Sequence, residues 1–566
     1  MTTIESTPES PTAAIDPITA AVIGGGLRSI AIEMGYRLAR MAYSSIIRES
    51  EDFGCAICDP EGRQLCEATQ STPLQSGPIG GYLAGIQRRF DEVRDQWGPG
   101  DVVVHNHPYY GASHQPDVGF AVPVFVGDHL AGFSMTTAHH LDLGALTPGS
   151  CGIVDASDTF AEGLLLNAVK VEEAGRPVRS AWRMIADNTR IPHLVIGDME
   201  AQVAAAKLGA ARYAELIGQH GVDTVRAAAE HQMNHSERML RQQIEALPDG
   251  RYEAEGRLDG FLEHPDPGYR DLVVRVAVTI AGSDINVDLA GTSPQVDLPI
   301  NMPLVGTVDV AVHVTLRSIL LDTARHDAVS TNAGLFRPVT ISAPEGTLAN
   351  PRFPAPTIAR FCSGNIVADT LMRALAPILP EAVAAGVGNL KVTAFSGTGE
   401  AGAWVYMDIM EGSYGGRYGK DGLDAVDTLY ANTRNNPIED IESHYPLRVR
   451  RYELVESGAG AGRWRGGFGS IREFEFLADG GFSLEGDGNS TAPPGLFGGA
   501  EGRPGSVTMN PGTPDEQSLP SKLPYRRVAA GELLRLVGPC GGGYGEPARR
   551  DPSAAERDAQ DGLTTG

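Results

Sequence analysis

"HQPDVGFAVPVFVGDHLAGFSMTTAHH", residues 114 to 140, places two runs of strand-forming residues on either side of Gly127-Asp128. Glycine at the first of two central positions suits a two-residue type II′ turn, so the stretch reads as a hairpin. Pairing Val126 with His129 sets His139 against Pro116 and Ala138 against Asp117. Pro123 is expected to add a bulge and slip that register by one. Under either register, His114, Asp117 and His139 meet at the hairpin's open end. Adjacent strand residues point to opposite faces, so His139 and His140 do not serve one ion together. Phe133, Met135, Thr137 and His139 share the bulkier face, which makes His139 the preferred ligand and His140 the second choice. Pro116 keeps His114 and Asp117 from being a helical pair, so both come from a turn. Two imidazoles and a carboxylate suit zinc, manganese or iron. The competing reading is a histidine-rich loop whose side chains bond backbone groups.

Outward from the hairpin, 566 residues exceed what one hydrophobic core serves, and two to four domains are expected. Sixty-nine glycines without a repeat period indicate many tight turns and short strands. A net charge of −25 argues against nucleic acid or an anionic membrane as partner. No apolar run is expected to reach transmembrane length. Residues 1–16 lack the basic and apolar segments of a leader and read as a disordered tail. Six cysteines in so long a chain do not make a disulfide framework, which favours the reducing cytoplasm. Cys55 and Cys58 have CxxC spacing without a second pair, and read as two thiols of a half-buried strand.

Apolar spacing predicts helices over about 17–43, 80–95, 197–218, 222–246, 307–322 and 364–378. Strand–turn–strand units are expected around Pro60-Glu61-Gly62 and over 272–295, where Ile285, Val287 and Leu289 alternate with polar or small residues. The fold class is mixed α/β (α+β) and multidomain. A metal-binding α/β domain is expected over 17–250, a middle α/β domain over 251–446 and a β-rich C-terminal domain over 447–566.

"NHPYYGASHQPD" (106–117), "AHHLDLGALTPGS" (138–150) and "FAEGLLLNAVKV" (160–171) resemble the hydantoinase B, 5-oxoprolinase and acetone carboxylase large-subunit family. Among its members are the B subunit of N-methylhydantoinase and the small subunit of caprolactamase. The likeness continues through "LAGTSPQVDLPINMPL" (289–304) and "GAGRWRGGFGSIREF" (460–474) to "GGGYGEP" (541–547). The resemblance implies one divalent metal held by Asp52, His114, Asp117 and His139, acting as the catalytic set through that metal. Asp52 rests on the resemblance alone. It also implies His107, His140 and Asp142 near the site, with Asp142 able to orient an imidazole. Two departures stand out: the family usually has Asp at His107, and often His at Gln75.

No G-x-x-x-x-G-K-[ST] phosphate loop is present, and "YGGRYGKDG" (414–422) reads as an ordinary loop. The resemblance supplies a separate A-type subunit that holds ATP and magnesium, in a hetero-oligomer such as a heterotetramer. The implied activity is ATP-dependent hydrolysis of a cyclic amide of the hydantoin, lactam or oxoproline type. The runner-up is an ATP-dependent ketone carboxylase that joins an enolate to activated bicarbonate. A non-catalytic scaffold with a structural metal is the third reading. Metal removal separates it, because a structural ion should hold the fold and a catalytic one should not.

Overall fold

The computed structural model describes residues 2–4, 15–261, 264–327, 329–399 and 402–565. The first long helix, α1 (Pro17–Met41), starts where the Asp16 carboxylate accepts from Thr19 N and Pro17 takes the first turn. By length and composition α1 passes for a membrane span, contrary to the expectation from sequence. In the structure Ile23, Leu27, Met34 and Leu38 are buried, and α1 packs on α4 (Pro192–His220) and α5 (Val222–Glu245) as a core helix does.

Of these helices, α1 and α4 cover one face of a seven-stranded sheet. Its strands are β1 (Phe53–Cys58), β2 (Gln64–Glu67), β3 (Val102–His105), β4 (Asp117–Val126), β5 (His129–His139), β6 (Val169–Glu173) and β7 (Arg176–Pro177), in the order β2-β1-β5-β4-β3-β6-β7. The other face carries the short α2 (Pro73–Ser76) and α3 (Ile79–Val93). β1 is buried on both faces rather than half-buried, and all six cysteines are free. Cys55 joins the large core and Cys58 the smaller cluster under α3.

The β4–β5 hairpin turns at Gly127, with φ +62. Its register does slip by one, but not at Pro123. The extra residue is Ala131 on β5, beside Gly132 at φ +153, between the pairs Phe125–Leu130 and Val124–Gly132. Asp117 therefore faces His139 directly, in place of Pro116. Pro123 lies past the short pairing with β3, where a missing N–H is tolerated.

A second sheet orders Thr2–Ile4, Val339–Ala343, Asp284–Asp288, Asp271–Ala281 and Gly250–Asp259. Thr2–Ile4 thus pairs as an edge strand within the stretch expected to be a tail. Residues 5–14, the rest of that expectation, lie outside the described residues. Helices α6 (Asp309–Leu320) and α7 (Phe361–Leu375) follow, and α7 packs on this sheet. Lys391–Gly399 and Gly480–Gly486 belong to a four-stranded sheet, and Ser470–Phe476 to a five-stranded one. Phe395 and Phe482 meet Phe474 and Phe476 between them as a sandwich core.

Beside the sandwich, glycine-rich segments run backbone against backbone. Gly541 N donates to Gly467 O, Gly460 N to Gly541 O and Gly416 N to Gly542 O. "YGGRYGKDG" is one of these segments. A Cβ on Gly466 would stand 1.8 Å from Gly541 O. Gly466→Ala should therefore destabilise by on the order of 3 kcal/mol, read as a lower thermal midpoint. Gly25, exposed within α1 with nothing near its missing Cβ, should gain about 0.8 kcal/mol on substitution by alanine. Equal midpoints for both variants would contradict the packing.

Candidate metal centre

Three adjacent strands end in one row. β1 pairs Phe53 with Ala138, and β4 pairs Val118 with Ala138 and Asp117 with His139. Asp52, one residue before β1, accepts His139 N at its carbonyl, 3.2 Å away. The row Asp52–His139–Asp117 thus crosses the sheet edge, and cross-strand neighbours share a face. That face lies under α2. The turn from His114 to Asp117, closed by Asp117 N donating to His114 O, returns the second imidazole to the row.

The geometry centres on Asp117, which is fully buried. Its Oδ1 accepts from Gln75 Nε2 at 2.7 Å, and lies 3.0 Å from His139 Nδ1 and 3.2 Å from His114 Nε2. Its Oδ2 accepts from Ser113 Oγ at 2.5 Å and from Arg360 Nη2 at 2.9 Å. Asp52 Oδ2 is 4.0 Å from His139 Nδ1, and Asp52 Oδ1 accepts from Thr72 Oγ1. Burial alone would raise the Asp117 pKa; His114, His139 and Arg360 outweigh it and hold the carboxyl well below its usual range. Asp52 lacks the Arg360 contact, and burial pushes it up to about 6 against the pull of His139.

His114 Nδ1 donates to Ile358 O at 2.7 Å. A carbonyl only accepts, so Nε2 keeps its lone pair. Nε2 is buried, and among the described residues it has no hydrogen-bond partner; Asp117 Oδ1 is near it without hydrogen-bond geometry. Burial and then Arg360 lower the His114 pKa to about 4, so the ring is neutral near pH 7. His139 is flanked on both nitrogens, by Asp117 at Nδ1 and by Ser150 Oγ at Nε2, 2.8 Å away. Burial opposes its charge, yet Cys151 and Asp117 raise its pKa well above the usual value. A neutral imidazole with a free buried lone pair, a second imidazole and two carboxylates form a donor set that fits a divalent first-row ion.

The other expected residues divide. His140 points away from the row, its Nε2 donating to Gln202 Oε1 on α4. His107 is not beside the imidazoles. It caps the turn at Pro108–Tyr110, Nδ1 accepting from Tyr109 N, and packs on Tyr110 and Phe353. An Asp there would make the same cap, which accounts for that departure. Asp142 orients no imidazole. Its carboxylate takes Arg190 Nη1 at 2.7 Å, Arg190 N and Thr189 Oγ1. Gln75, the second departure, does lie in the centre, and its Oε1 is buried without a partner among the described residues. Arg360, Ser113, Ser150, Cys151 and Thr72 carry no sequence signal of their place here. Arg360 stands 243 positions from Asp117, and no spacing announces that contact.

Residues 16–547 match the family model for hydantoinase B/oxoprolinase. Over 553 residues the chain is 61% identical to the putative B subunit of a D-/L-hydantoinase from Pseudomonas sp. (strain NS671), covering 97% of this chain and 93% of that protein. The crystal structure of ATP-dependent caprolactamase from Pseudomonas jessenii superposes with a TM-score of 0.87 at 25% identity, over 98% of this chain and 95% of that one. A nucleotide-free structure of acetone carboxylase gives 0.88 at 18% identity, over 97% and 78%, a likeness of fold.

Arg360→Met should leave Asp117 as a poorly compensated buried charge, at a cost on the order of 3 kcal/mol in denaturant unfolding. Adding Asp117→Asn should recover most of that loss. A double variant no more stable than Arg360→Met would show that the pair is not what the charge is buried for.

Proposed function

The chain belongs to the hydantoinase B/oxoprolinase family, and from that premise we propose that it is the metal-binding B-type component of an ATP-dependent cyclic amide hydrolase. Its A-type partner binds ATP and magnesium, and this chain supplies Asp52, His114, Asp117 and His139 to a divalent ion. Zinc or manganese is preferred, with iron third. The observation that carries the reading is the free, buried lone pair of His114 Nε2 beside the carboxylate row.

A divalent ion at the row supplies Lewis acidity to the reacting carbon. The chain's own groups prepare that position. Ile358 O fixes the His114 tautomer, and Glu162 holds Ile358 by accepting its N–H at 2.6 Å. Arg360 and Ser113 occupy Asp117 Oδ2 and leave Oδ1 facing the imidazoles. Asp52, which burial raises to about 6, gives up its proton as the ion binds. Gln75 Oε1 is buried beside Asp117 without a partner among the described residues. The hydrolase is favoured over the carboxylase because the chain's length resembles that branch. The 61% identical relative is named as part of a hydantoinase, which supports the same choice.

Purified chain should carry close to one divalent ion, which His114→Ala or Asp117→Ala loses and His140→Ala keeps. Elemental analysis checks this, and full occupancy in both of the first two variants would refute the ligand set. Metal affinity should fall as pH drops, because His139, whose pKa is raised well above the usual value, and Asp52, raised to about 6, must each lose a proton to bind. The isolated chain should show no ATP binding by calorimetry. With its A-type partner it should open a hydantoin or lactam in an ATP-dependent way, and Asp52→Ala should abolish the product. Turnover that requires bicarbonate and a ketone would establish the carboxylase instead.

A further inference from the structure

A cavity of about 480 Å³ between β2, α2, the start of α3 and α6 has no part in that scheme. Its size is that of a small-molecule site, for which roughly 300–1,000 Å³ is usual. It meets a different face of α2 from the metal row: Gln75 reaches Asp117, whereas Pro73 and Ser76 line the cavity. Val314, Leu335 and Phe336 give it an apolar wall.

Most charges on its lining are already matched. Arg63 is held by Asp59 and Glu230, Arg337 by Glu230 and Glu237, and Glu61 by Arg226. Asp309 Oδ1 turns back onto the N–H groups of Gly306 and Val310. Burial lowers the His313 pKa to about 3, so that ring is uncharged near pH 7. Two groups remain, Arg317 on α6 and Glu67 on β2. Neither has an opposite charge in ion-pair contact among the described residues, and Arg317 Nε is buried with no hydrogen-bond partner there. Burial raises the Glu67 pKa, and a hydrogen bond from Ser76 and then the Arg317 charge oppose it, so the two groups are neighbours that do not touch.

Gln64, 2% exposed, adds a third group. Its Nε2 donates to Glu67 at 3.1 Å, which leaves Oε1 buried with no donor among the described residues. Two acceptors side by side suit one group with several N–H bonds, and a guanidinium suits a carboxylate. Both charges are costly to shield from water until each is matched.

We propose that this cavity binds an apolar α-amino acid as its zwitterion. The carboxylate meets Arg317, the ammonium meets Glu67 and Gln64 Oε1, and the side chain lies against Val314, Leu335 and Phe336. The site uses none of the metal ligands and does not depend on the metal-binding reading.

Calorimetric titration of L-leucine into the full chain tests this. Binding is expected at millimolar concentration or below. L-leucinamide, which lacks the carboxylate, and isocaproate, which lacks the ammonium, should each bind weaker by about tenfold or more. Arg317→Met and Glu67→Gln should each weaken L-leucine by a similar factor, with the thermal midpoint showing that they fold. If neither folds, the ligand series on the unaltered chain decides alone. Absence of L-leucine binding, or isocaproate bound as tightly as L-leucine, would overturn the proposal. So would an affinity unchanged in both variants, which would place the ligand elsewhere. His114→Ala should keep full L-leucine affinity; a loss there would put the ligand at the metal row and overturn the separate site.

Discussion

A single buried carboxylate, Asp117, is the constraint around which the centre is assembled. Removing it from water is tolerable only if its oxygens are fully engaged. Gln75 reaches it from α2, Ser113 from the preceding turn, His139 from β5 and Arg360 from the residue before α7. Each partner comes from a different element, so the need to satisfy one charge fixes how those elements meet. Arg360 is itself almost wholly buried, and it brings the α7 end of the middle region onto the seven-stranded sheet. The loop carrying Ser150 and Cys151 does the same from the sandwich side.

What the sequence disclosed follows from the range of each signal. The hairpin was legible because turn chemistry and strand alternation act over a few residues. Counting outward from Gly127 reached the convergence of His114, Asp117 and His139. The direct pairing of Asp117 with His139 needed the bulge at Ala131, whose signal, a glycine beside it, is weaker than that of a proline inside a strand. Asp52, which only the resemblance implied, reaches the row through lateral pairing of β1 with β5, a contact between distant segments. Arg360 and Cys151 are hidden for the same reason. Helix cores were found with their ends within three residues, except at α4, which begins at Pro192 where the spacing suggested 197. His107 and Gln75 show how alike two departures look in sequence: one replaces a cap with another cap, and the other changes a group in contact with Asp117.

The proposed division of labour has a physical side. The centre is built almost wholly from groups with under a tenth of their surface exposed, in a chain of net charge −25. Such a site excludes water and suits carbonyl chemistry, but a polyanionic nucleotide finds no favourable field around it. The proposed partner, bringing the nucleotide on its own surface, would resolve that conflict. The buried centre can then stay dry and preorganised, without having to accommodate phosphate.

The glycine segments beside the sandwich carry a thermodynamic signature of their own. Their layers touch at backbone distance, with no side chains between Gly466 and Gly541 or between Gly416 and Gly542. Opening them exposes peptide groups and little hydrocarbon. Peptide exposure lowers the heat capacity of the unfolded chain, whereas apolar exposure raises it. The glycine contacts themselves should therefore add less to the heat capacity of unfolding than the aromatic sandwich they lean on.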